Sequence, residues 1–131
     1  MIERKWLQST KLLDGATSTT QSNPYPIEDY ANMMLTVAGG DSASATIKVV
    51  GSFQLEAPDF SQSADVDNQW SYISVRNLED WTNIDGTVGI EITTDGVESY
   101  LVNTPGLRWV WVVVSTYTAW DITVSLNGFS S

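Results

Sequence analysis

The side chains with chemical potential in this 131-residue chain are carboxylates and indoles. Asp65, Asp67 and Asn68 lie close enough in sequence to offer oxygen ligands to a calcium ion, yet the glycine and distal glutamate of an EF-hand loop do not accompany them. The trio therefore reads as a solvated acidic loop, and no metal is expected. Glycoside hydrolysis needs two carboxylates at a fixed separation across a cleft, and sixteen acidic residues supply pairs by chance, so their number identifies none. The chain has no histidine and no cysteine, which removes the commonest general base, the usual zinc ligands and any disulfide. The expectation is a protein that is not an enzyme, with no catalytic residue and no cofactor.

Six tryptophans are the other resource, and Trp6, Trp81, Trp111 and Trp120 fall where strand alternation does not clearly bury them. Each ring has a bland reading, closing one end of a core with its large area. It also has a functional one, contact with another protein, because Trp concentrates in interface hot spots. A carbohydrate-stacking platform is a third use. Arg108 sits between apolar neighbours and reads as half of a structural ion pair before an anion site.

Sixteen acidic against six basic residues give a net charge of −10, which repels a phosphate backbone, so no nucleic-acid partner is expected. The N-terminal residues carry Arg4 and Lys5 but no apolar run of signal-peptide length, and no later stretch reaches a transmembrane span. A soluble compartment without export, and no membrane partner, is the expectation.

The elements that must position these residues are strands. Residues 107–117 are dense in β-branched and aromatic types and read as a central strand, with 121–127 as its hairpin partner. A two-residue turn would bury the Trp109, Trp111 and Val113 face; a three-residue loop, 118–120, would bury Val110, Val112 and Val114. The second register is favoured, and it leaves a mixed aromatic outer face that needs a cover. Residues 30–37 and 45–55 read as another hairpin, with Ala45, Ile47 and Val49 on one side. Residues 89–93 and 97–102 read as a third, turning at Asp95 and Gly96. Residues 14–26 read as a surface loop and 57–68 as a long acidic excursion. Asp14–Gly15, Asp85–Gly86 and Asp95–Gly96 are turn pairs. Seven or eight short strands and no amphipathic helix predict an all-β chain, a single antiparallel sandwich of jelly-roll type (14–131) behind an extended N-terminal arm (1–13).

Certain stretches carry a family likeness: LLDGAT at 12–17, KVVGS at 48–52, Trp70, DGVESYLV at 95–102 and GLRWVWVVVSTYT at 106–118. Over most of its length the chain resembles the small β-sandwich structural proteins of tailed bacteriophages. The resemblance implies a virion component: a capsid decoration or cement protein, trimeric, assembled in the host cytoplasm onto the major capsid protein and displayed on the capsid surface. The alternative it leaves open is a receptor- or glycan-binding module of a tail or fibre. The chain departs from the pattern at Trp111 and Val113, where relatives often carry polar residues, and at Trp120, where relatives tend to have glycine. A Trp in a left-handed conformation there would cost about 1 kcal/mol. The expected protein-contact residues are Arg4, Lys5 and Trp6 on the arm, with Trp81, Trp111, Val113 and Trp120.

Overall fold

The computed structural model describes residues 6–28, 30, 32–39, 44–92, 96–102, 107–119 and 121–129. Alternating apolar residues bury one side of each long strand, and two antiparallel sheets close over that apolar layer. In spatial order the first sheet holds β1 (Trp6–Ala16), β12 (Ile122–Phe129), β4 (Asn32–Gly39), β10 (Gly96–Val102), β7 (Val75–Asn77) and β8 (Asn83–Ile84). The second holds β2 (Thr20–Gln21), β11 (Trp109–Ala119), β5 (Ser44–Ser52) and β6 (Ser71–Ile73). Alongside these, β3 (Tyr25–Pro26) also pairs with β11, and β9 (Ile90–Ile92) also pairs with β5. The chain is an all-β sandwich, as its alternation predicts.

The core lies between the sheets. From the first come Met33, Leu35 and Val37, Tyr100 and Val102, and Ile122, Val124 and Leu126; from the second come Ala45, Ile47 and Val49, and Val110, Val112 and Val114. The valine row of β11 therefore faces inward as expected, opposite the β12 row.

The pairing behind that facing is different. β11 and β12 are not a hairpin, because β11 belongs to the second sheet and β12 to the first, where it lies between β1 and β4. The same correction applies to β4 and β5, and to β9 and β10, each pair being split between sheets. Inward-facing rows look the same whether two strands lie side by side or across a core, so alternation fixes the facing and leaves the partner open. Around Ser74 the chain itself changes sheet, β6 leaving the second and β7 entering the first. This repeated switching of successive strands gives the sandwich its jelly-roll character. Among the described residues, β7 and β8 are sequence neighbours that do pair directly.

Two further expectations change. The arm expected over 1–13 is the edge of the first sheet from Trp6 on, since β1 pairs with β12 from Trp6 opposite Phe129 to Ala16 opposite Ile122. The loop expected over 14–26 includes two short pieces of strand laid along β11, with Ser22 between them. The Ser22 N–H donates to the Val112 carbonyl at 2.9 Å and its hydroxyl accepts the Val112 N–H at 3.0 Å, which protects the edge of β11 where prolines would leave it unpaired.

Candidate functional site

The outer face of the second sheet carries the aromatic side of β11. Trp111 lies beside Val50 of β5, and Val50 beside Tyr72 of β6, so one apolar row crosses three strands. Such a row in water would be a large exposed patch. The long segment 53–70 folds back over it instead. Phe60 meets Trp111 edge-on at 5.6 Å between ring centres, and Trp70 at 4.5 Å, while Trp70 and Tyr72 stand 5.6 Å apart. Trp111 and Val50 are consequently fully buried in a small second core outside the main one.

This corrects the expectation that Trp111 meets another protein. Its ring has 0% exposure, and a loop of its own chain occupies the face that a partner would have covered. The indole N–H of Trp111 finds no acceptor, a described buried polar atom without a hydrogen bond.

Hydrogen bonds hold the covering loop in one shape. At its base the Gln69 N–H donates to Gln54 Oε1 at 2.7 Å, the Trp109 indole donates to the Gln54 carbonyl at 3.0 Å, and the Ser52 hydroxyl donates to the Gln69 carbonyl. Across its middle the Asn68 side chain accepts from the Asp59 N–H and donates to the Asp59 carbonyl, both at 2.7 Å. The Trp70 indole donates to the Gln62 carbonyl at 3.2 Å. Asp65 Oδ1 accepts the N–H groups of Asp67 and Asn68 at 2.8 Å each, so all three members of the trio are tied into local turn structure. Among the described residues, no group of three or more Asp, Glu, His or Cys side chains is placed to hold a metal ion. The Asp59 carboxyl is held below its ordinary range by the hydroxyl and then the N–H of Ser61.

Beside the loop's base lies a cleft of about 340 Å³, lined by Phe53, Ala64, Asp65, Gln69 and Trp70 over the floor of Gly51 and Ser52. Of its lining residues Phe53 is 59% exposed; Leu55, two positions beyond it, is 76% exposed and Val66, next to Asp65, 84%. The Gln54–Gln69 bond, together with a 3.1 Å bond from the Gln69 amide to the Val66 carbonyl, joins the two stretches of chain that carry them. That link was not legible in the sequence, where 57–68 reads only as acidic and polar.

The other expected contact residues are scattered. Trp81 is 56% exposed in the turn between β7 and β8, at a positive φ of 64°. Arg76 holds it there, its guanidinium 5.1 Å from the ring centre and donating to the Trp81 carbonyl at 3.0 Å. Trp81 is thus a non-glycine residue in the left-handed region; the left-handed residue expected at Trp120 lies outside the described residues. Val113 is half-buried on the outer face of β11, between Lys48 and Gln21. Trp6 begins β1, and Arg4, Lys5 and Trp120 lie outside the described residues. Arg108 makes an exposed ion pair with Glu28 at 2.8 Å, the structural role expected of it.

Neither a protein-family model nor a curated protein matches the chain. The class that the fold defines, an all-β jelly-roll sandwich, is shared with solved structures. One is described as SPBc2 prophage-derived protein YomS, similar at a TM-score of 0.73 and 17% identity over 99% of this chain and 97% of that one. Another is described as PBSX exported protein XepA, also at 0.73, with 16% identity over 99% of this chain and 39% of that one. The same sandwich thus accounts for nearly all of one chain and well under half of another.

Proposed function

We propose that this chain is a structural protein of a tailed bacteriophage, a sandwich module that decorates the capsid by docking on the major capsid protein. The observation that carries the reading is the fold shared along 99% of the chain with two proteins described by the prophages they come from. The sequence likeness to small phage structural proteins supports it independently. The recurrence of the sandwich, as most of one chain and as a part of another, fits a module that supplies a binding surface. In this reading Trp81 contributes at the contact and Trp111 does not.

Phage particles made with and without the protein test it. Quantitative mass spectrometry should find it in hundreds of copies per particle, and heads lacking it should release DNA at a lower temperature. Copy numbers in single figures, or heads of equal heat resistance, would overturn the capsid assignment.

A further inference from the structure

We propose that the loop over 53–70 is a docking surface for a basic protein segment, and that its cleft receives an arginine or lysine side chain between Phe53, Trp70 and Asp65. This rests on the reading of the chain as a module that binds another protein, and it names the face and the chemistry of the partner.

Three observations converge on a cation. First, the lining combines aromatic rings with a carboxylate, the surroundings that favour a guanidinium or ammonium group over a neutral one. Second, the cleft offers a carboxylate oxygen and an amide oxygen as open acceptors. Among the described residues, Asp65 uses Oδ1 for two backbone N–H groups and its Oδ2 accepts none, and Gln69 uses one of its two amide N–H groups on the Val66 carbonyl while its Oε1 accepts none. Third, residues 53–70 carry four carboxylates, Glu56, Asp59, Asp65 and Asp67, and no lysine or arginine, within a chain of net charge −10. A positively charged partner complements that field and is drawn to it over distance.

The exposed apolar area explains why the partner is a folded or folding segment and not a free cation. Phe53 at the cleft, with Leu55 and Val66 exposed on the same two stretches of chain that line it, offers apolar area beside the charge for contacts that exclude water. The hydrogen bonds across the loop hold it in shape before a partner arrives, so little ordering is required on binding.

The test uses the full chain and labelled twelve-residue peptides of alternating Arg–Leu, Glu–Leu and Gly–Ser, with binding read by fluorescence anisotropy. The Arg–Leu peptide should bind and the other two should not. Asp65→Asn keeps the turn-forming oxygen, and Glu91→Gln makes the same charge change on the exposed face of β9. Asp65→Asn and Phe53→Ser should each weaken the Arg–Leu peptide about fivefold, with Glu91→Gln changing it less than about twofold. Equal weakening by Asp65→Asn and Glu91→Gln would reduce the effect to net charge and overturn the site. A self-association in sedimentation that Phe53→Ser abolishes would overturn it in favour of a second copy. Displacement of the peptide by glucose or N-acetylglucosamine oligosaccharides would overturn it in favour of a glycan. Peptide binding at this face by a protein that leaves heads unaltered sinks the capsid reading alone; head stabilisation that survives Phe53→Ser sinks this one alone.

Discussion

Trp111 is the largest fully buried side chain among the described residues, and it lies outside the main core. Its worth is therefore the worth of the second core beneath the loop. Trp111→Ala should destabilise the fold by about 3–5 kcal/mol, the usual range for emptying a buried aromatic site. Trp111→Phe should cost much less, because the indole N–H has no acceptor to lose and the aromatic contact with Phe60 survives. Urea unfolding of the two variants checks the order, and a larger loss for Phe than for Ala would refute it. Alternation placed Trp111 correctly, on the face opposite the β11 valines. Its cover arrives from a segment some fifty positions earlier whose Ser, Gln and Asp content resembles any solvated loop, so only the rings of Phe60 and Trp70 hinted that it packs.

At the scale of elements, the strands themselves were legible and their neighbours were not. Val, Ile and Leu at alternate positions define β4, β5, β11 and β12, and glycine or aspartate marks the ends of several. A turn signal reports that the chain reverses, which is equally true of a hairpin and of a step across the core. What decides the outcome is packing between distant residues, and one such contact is at Gly86. A Cβ built there would stand 2.7–2.8 Å from backbone atoms of Tyr72 and Ile73 in β6, where no side chain can yield. Gly86→Ala should thus cost about 1–3 kcal/mol through overpacking, against less than about 0.5 kcal/mol for Val88→Ala at an exposed position of the same turn. Thermal melts of the pair test it, and equal midpoints would show that the turn over 85–89 is free to move off β6.

For the whole molecule, the ionisable groups set a pH window. Asp59, Asp80 and Asp85 each accept bonds from a hydroxyl and an N–H two residues on, at Ser61, Thr82 and Thr87, and all three carboxyls are lowered from their ordinary values. The unfolded chain takes up protons there before the folded one does, so this contribution is complete above the unfolded value of about 4 and disappears as pH falls through the folded values. Tyr100 works at the other end. Burial first, then its 2.5 Å bond to Glu98 and that carboxylate's charge, push the phenol up. Its contribution holds below the unfolded value of about 10 and is lost as pH rises through the folded one. Stability measured by denaturant across pH should be level through the neutral range and fall at both extremes. Tyr100→Phe should flatten the alkaline side, and an unchanged alkaline limb would place its cause elsewhere.

The first sheet is ordered so that β1 touches β12, and β12 in turn separates β1 from β4. The opening strand of the sandwich therefore has no seat until the closing one has left the ribosome. During synthesis β4 and β10, or β5 and β11, can pair as they emerge, but β1 must wait for β12, and a translation product cut short before residue 122 lacks the seam that seats it. Quality control is thereby built into the order of strands, since an unfinished copy has no complete sandwich to present.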